Sequence, residues 1–257
     1  MPGSGDDCLN LLVVSPDSNA GELTMVAQDY LKVIWTAQEW SHEKVSTKML
    51  AERLGVSAST ASESIRKLAD QGFVHHEKYG AVTLTDAGRR AALAMVRRHR
   101  LMETFLVREL GYGWDEVHDE AEILEHAVSD RMLDRIDAKL GHPTRDPHGD
   151  PIPAADGQVP TPPARQLSVC QDGDAGTVAR ISDADPEMLR YFDTVGITLD
   201  SRVRVLARRD FAGMISVAIE NPVNPVDPGD PARPGSETTS TTVDLGSPAA
   251  EAIWVVA

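Results

Sequence analysis

The chain has 257 residues, 41% of them hydrophobic, enough for packed cores in one to three domains. Two cysteines, Cys8 and Cys170, exclude a disulfide scaffold or a Cys-rich zinc module and point to a reducing, cytoplasmic compartment. No run approaches the ~18 apolar residues of a membrane helix, and a net charge of −15 taken whole argues against nucleic acid.

The first 20 residues read as a flexible extension. Their apolar run, Cys8 to Val14, is short and follows Asp6 and Asp7, where a signal peptide would be basic. Residues 25–39 form an expected helix with Val26, Tyr30, Ile34 and Trp35 on its apolar stripe. Val45–Leu54 is a short second helix, with Ser46 or Thr47 as N-cap and Gly55 as its stop. A third runs from Ser57 to Leu68, with Ala61, Ile65 and Leu68 inward and Ser59, Thr60, Ser62, Glu63, Arg66 and Lys67 outward. A short helix, a glycine turn and a helix opening on small hydroxyls make a helix-turn-helix. Two strands between Phe73 and Thr85, turning at Tyr79-Gly80, add a wing with Lys78 at its tip. The charge distribution agrees: residues 41–100 hold eleven Lys and Arg against six acids, a segment of +5 in an acidic protein. Residues 21–90 thus read as a winged helix-turn-helix domain that binds double-stranded DNA.

A helix of residues 87–110 follows, carrying His99 and Glu103 at i, i+4. Another, Trp114 to Leu140, carries His118, Glu122, Glu125 and His126 on one patch. One His and Glu at this spacing is an ordinary helix ion pair. Two such pairs, with Glu125-His126 added, crowd imidazoles and carboxylates that are costly to bury without a cation, and a divalent metal suits them. Residues 91–141 are therefore a metal-binding and dimerisation region. Seven prolines between 142 and 163 suggest a tether over 142–165. The other histidines, His42, His75, His76, His142 and His148, have no such company and read as ordinary loop or strand residues. From residue 166 to 257, short strands (177–181, 203–206, 214–219, 253–256) and one helix capped by Asp185 make a small SH3-like barrel. Prolines at every third position from 222 to 234 mark a mobile loop over 221–241. The fold class is mainly α with a small β C-terminal domain.

Gln28-Asp-Tyr-Leu31, Arg98-His-Arg-Leu101, and His118-Asp-Glu-Ala121 with Glu125-His126 carry a resemblance to the diphtheria toxin repressor family, in particular to its manganese transport regulators. The resemblance covers residues 22–257 and implies a FeoA-like C-terminal domain and two metal sites per protomer. It assigns Asp29, Glu122, Glu125 and His126 to a primary site, and His99, Glu103 and His118 to an ancillary one, completed by Glu187 or Asp185 of the barrel. It also implies base contacts from Ser57, Ser59, Thr60 and Glu63, with Lys48, Arg66 and Lys78 on phosphates. Glu63 departs from the neutral side chain expected there; an acid reads cytosine but repels the backbone.

Mn²⁺ is the expected metal, because Asp29 and Glu122 stand where the iron-responsive branch has sulfur ligands. Lys32 replaces a second first-helix acid of the manganese branch, which favours two separate mononuclear sites. The function so implied is a Mn²⁺-dependent homodimeric repressor of metal-homeostasis genes, with an Fe²⁺-dependent repressor as the alternative. A helical metalloenzyme is the more distant one: residues 122–126 read Glu-Ile-Leu-Glu-His, neither a zinc-protease motif nor a pair of Glu-x-x-His motifs. The chain is expected not to be an enzyme.

Overall fold

The computed structural model describes residues 23–41, 44–76, 80–220 and 240–257. Helix α1 (Met25–Glu39) starts at Thr24, whose hydroxyl accepts from the Ala27 amide. Tyr30, Leu31, Ile34 and Ala37 enter the core, whereas Val26 is exposed. Helix α2 (Thr47–Arg53) is capped by Ser46, and α3 (Ala58–Asp70) by Ser57. Ala61, Ile65 and Leu68 of α3 are buried as their spacing requires. Strands β1 (Val74–His76) and β2 (Val82–Leu84) pair antiparallel and complete the winged helix. Lys78, expected at the wing tip, and His42 lie outside the described residues.

Helix α4 (Asp86–Leu110) is the spine of the molecule, capped by Thr85 and ended by left-handed Gly111. It packs on α1 on one side and on α5 (Val117–Ala127) on the other. The single helix expected from Trp114 to Leu140 is two, because α6 (Asp130–Lys139) restarts after an extended Val128. Ser129 caps the Met132 amide, Asp130 places an acid in the first turn, and Arg98 takes the Val128 carbonyl. The break rotates the register, so Leu133 is buried and Met132 exposed.

The expected tether is not a free linker over its first half. Asp146, His148, Asp150 and Ile152 are buried. Asp146 Oδ1 accepts from the amides of His148 (2.8 Å) and Asp150 (2.9 Å), closing a tight loop. Arg100 and Arg97 donate to the carbonyls of Pro151 and Pro153. Proline-rich composition hid this because the arginines that anchor the loop, Arg97 and Arg100, are more than fifty residues away in sequence.

The C-terminal domain is a six-stranded antiparallel sheet in the order β3-β8-β4-β5-β6-β7. Its strands are β3 (Arg165–Gln166), β4 (Ala175–Ile181), β5 (Arg202–Arg209), β6 (Met214–Glu220), β7 (Ser240–Gly246) and β8 (Ile253–Val256). Helices α7 (Pro186–Val195) and α8 (Ser247–Glu251) contribute Leu189, Phe192 and Ala250 to its core. Sequence patterning missed β3 and β7; β7 begins inside the stretch assigned to the mobile loop, of which residues 221–239 lie outside the described residues. No helix among the described residues is long and apolar enough to cross a membrane.

Candidate metal centre

Three parts of the chain meet at one polar seam: α1 of the winged helix, α4 and α5 of the helical region, and the 146–150 loop with the end of β4. Asp29 on α1 meets His126 on α5, with 2.8 Å between Oδ1 and Nε2. The other imidazole nitrogen lies 3.0 Å from Gln28 Oε1. Ligand atoms of Asp29, Glu125 and His126 lie within 4.8 Å of one another, so one ion can touch all three. Glu125 is fully buried. Burial pushes the Asp29 carboxyl up, against the pull of His126.

Glu122, expected with these three, lies between two clusters. Its Oε1 is 2.7 Å from Lys32 Nζ, 3.8 Å from His99 Nδ1 and 3.6 Å from His118 Nε2. Burial works to raise its pKa, yet Lys32 and the two imidazoles hold the carboxyl below its ordinary range.

The second cluster centres on Glu103, which is 1% exposed. Its Oε1 is 3.0 Å from His99 Nε2 and 3.4 Å from His118 Nδ1; its Oε2 is 3.8 Å from His148 Nδ1. Asp183, just past β4, completes it at 3.6 Å from His118. The residues expected from the C-terminal domain do other work: Asp185 caps α7 through the amides of Glu187 and Met188, and Glu187 is exposed. Sequence reasoning missed Asp146, His148 and Asp183, although two acids around a histidine in Asp146-Pro-His-Gly-Asp150 were a signal. Glu103, Asp146 and His148 form one ligand-competent group, and Glu103, His118 and Asp183 another.

The donor chemistry fits a hard divalent cation. Every candidate ligand among the described residues is a carboxylate oxygen or an imidazole nitrogen, and the cysteine described there, Cys170, is buried in the core of the sheet domain. The His148 Nδ1 is buried without a hydrogen-bond partner and faces Glu103, an orphan donor or acceptor that a metal would satisfy. Burial opposes the charge on His99 and His148, but Glu103 and its neighbours outweigh it and push each up to about 10. Burial pushes Asp146 up to about 8. Protons therefore sit where a cation would, and binding a metal must release them.

The side chains of α3 expected to meet DNA are exposed. The Ser57 hydroxyl lies 2.8 Å from both Ser59 Oγ and Thr60 Oγ1 while capping α3. Glu63 pairs with Lys67 at 2.8 Å, and Lys48 sits 3.8 Å from Glu52. Arg66 is exposed.

Three family models match the chain. Residues 22–82 match the N-terminal DNA-binding domain of iron-dependent repressors. Residues 85–154 match their metal-binding and dimerisation domain, and 165–257 the FeoA domain. The iron-dependent repressor IdeR of Mycobacterium tuberculosis is 35% identical over 132 residues, covering 51% of this chain and 57% of the relative. The chain thus spans little over half the length of such curated relatives. The diphtheria toxin repressor of Corynebacterium diphtheriae is 31% identical over 176 residues, 68% of this chain and 74% of the relative. Among solved structures, a manganese-dependent transcriptional repressor in complex with manganese is 76% identical, with a TM-score of 0.81 over 90% of this chain and 99% of that one. The manganese regulator SloR is 31% identical, with a TM-score of 0.70 over 90% and 97%. DNA-binding, metal-binding and FeoA domains in this order place the chain in the iron-dependent, or diphtheria toxin, repressor family.

Proposed function

We propose that the protein is a cytoplasmic, manganese-dependent transcriptional repressor that binds palindromic operators as a homodimer and controls metal-homeostasis genes. The observation that carries this reading is the meeting of Asp29, on the first helix of the DNA-binding domain, with Glu125 and His126 of the dimerisation region. The 76% identity to a manganese-bound repressor and the all-oxygen-and-nitrogen donor set support manganese over iron.

Asp29, Glu125 and His126, with Glu122 beside them, would hold the ion in the primary site. Glu103, His118, His148, Asp183 and Asp146, with His99, would hold a second. A bound divalent cation supplies one positive centre shared by α1 and α5. The chain's own residues do the rest. Asp29 is a lever on the winged helix, and α5 is fixed to α4, so their separation sets where α3 points. Leu110, Ile123 and Met132, one on each of α4, α5 and α6, are exposed apolar side chains that self-association would cover. Two recognition helices on a dimer must sit about 34 Å, one helical turn, or a multiple of it apart. Whatever favours that spacing favours DNA, and DNA in turn tightens metal binding.

The test titrates Mn²⁺ and Fe²⁺ against labelled operator fragments selected from random DNA in the presence of manganese. Wild type should bind only with Mn²⁺ present, and Asp29→Ala should remain a folded dimer that does not respond. Equal binding in chelator would end the proposal.

A further inference from the structure

Lys32 lies one helical turn beyond Asp29, on the same face of α1. Its neighbours Leu31 and Ile34 are wholly buried, and Lys32 itself is 6% exposed. Nothing in the packing of a winged helix asks for a buried ammonium, which is costly unless paired. Here it is paired twice: Nζ lies 2.7 Å from Glu122 Oε1 and 2.5 Å from Glu125 Oε1. The other oxygen of Glu125 is 2.6 Å from His99 Nδ1. Lys32 thus spans the joint between α1 and α5, as the proposed metal would, and on two of the same carboxylates.

The charges fit one ion. Asp29, Glu122 and Glu125 are three carboxylates, His126 is neutral as a ligand, and His99, on the far oxygen of Glu125, is balanced by Glu103 at 3.0 Å. A divalent ion leaves one negative charge, which the ammonium cancels. A second divalent ion would leave the site strongly positive.

We propose that Lys32 is a built-in cation of the primary cluster, a positioning residue. It holds Glu122 and Glu125 across the α1–α5 joint in the metal-free chain, and it limits the cluster to a single divalent ion, bound less tightly than the carboxylates alone would bind it. This rests on reading the cluster as a manganese site. The metal-free chain is then pre-assembled rather than sprung open by carboxylate repulsion, and metal and lysine share the same anionic groups.

The experiment compares the 257-residue chain as wild type, Lys32→Met, Lys32→Arg and Asp29→Ala. Equilibrium dialysis against Mn²⁺ identifies the cluster's ion as the one Asp29→Ala loses. Hydrogen exchange of α1 and α5 in chelator reads the joint without metal. Lys32→Met should bind that ion about tenfold or more tightly, since a like charge a few ångströms away is gone, and should exchange α1 amides faster without metal. Lys32→Arg keeps the charge and should stay within about threefold of wild type on both readouts. Lys32→Gln, a donor without charge, supplies the same comparison should the apolar variant not fold. Unchanged affinity or unchanged exchange in the neutral variants, or an arginine variant that behaves like them, overturns the role of Lys32. A wild type that loses no manganese on Asp29→Ala instead overturns the metal reading of the cluster, and this inference with it.

Discussion

Replacing Arg180 by Met is expected to undock the C-terminal domain and to weaken the second metal cluster. Arg180 sits on β4, three residues before Asp183, and is 8% exposed. Its Nε donates to Asp150 Oδ1 at 2.7 Å, and its guanidinium lies 4.2 Å from the Trp254 ring and 5.1 Å from the Trp40 ring. Trp40, at the C-terminal end of α1, also donates to Asp150 at 2.6 Å. One side chain therefore joins the DNA-binding domain, the 146–150 loop and the sheet domain. A hydrogen bond to a charged group contributes about 1.5–3 kcal/mol, and each cation–π contact about 0.5–1 kcal/mol or more when desolvated. Arg100, 3.6 Å from Asp150, partly compensates the orphaned carboxylate. The expected loss is about 3 kcal/mol, within the range for breaking a buried pair. Urea unfolding in chelator, followed by tryptophan fluorescence, measures it, because Trp40 and Trp254 report the joint directly. Manganese dialysis should show the ion at Glu103, His118 and Asp183 weakened, with the ion at Asp29 retained. A loss below about 1 kcal/mol with unchanged manganese binding would refute the reasoning that this sandwich positions Asp183.

The metal-free chain should lose stability as pH rises. His99 and His148 are held up to about 10 from an ordinary 6.5, so their contribution is complete below about pH 6.5 and is lost as pH climbs through about 10. Manganese displaces the same protons, so its affinity should rise from pH 6.5 to 8, with a binding enthalpy that depends on buffer ionisation; a flat profile contradicts the assignment. Gly149→Ala should cost at least about 2 kcal/mol. Gly149 has φ +91°, and an added Cβ would lie 2.1 Å from the Ala179 carbonyl oxygen, so the loop bearing His148 can press on β4 only as glycine. Thermal unfolding checks it, and a wild-type midpoint would show that the loop has room to move. Glu63→Gln should tighten DNA binding a few-fold and steepen its salt dependence, because Lys67, now paired with Glu63, becomes free for phosphate. Anisotropy titrations at several salt concentrations measure this, and weaker binding would assign Glu63 to direct base reading.

The winged helix was legible because its signals are local. Ser57 caps α3, Gly55 takes the left-handed turn after α2, and Ala61, Ile65 and Leu68 repeat at helical spacing. The clusters on α4 and α5 were legible because i, i+4 spacing fixes a face before any tertiary contact forms. What remained hidden depends on distant partners. The 146–150 loop looks like a linker until Arg100, Trp40 and Arg180 reach it. Asp183 and Asp185 differ by two residues in a turn, and only the capping of α7 decides which carboxylate is free to face His118. The break at Val128 depends on Ser129 and Asp130 outcompeting a continuous apolar stripe. Lys32 read as an absent acid; its place between Glu122 and Glu125 comes from the packing of α1 beside α5.

The most direct test is a crystal of the manganese-loaded protein measured at the manganese absorption edge. An anomalous peak coordinated by Asp29 from α1 together with Glu125 and His126 from α5 is the predicted result. Manganese-dependent DNA binding in a protein whose only anomalous peaks lie away from Asp29 would contradict it, since no ion would then join the reading head to the helices behind it.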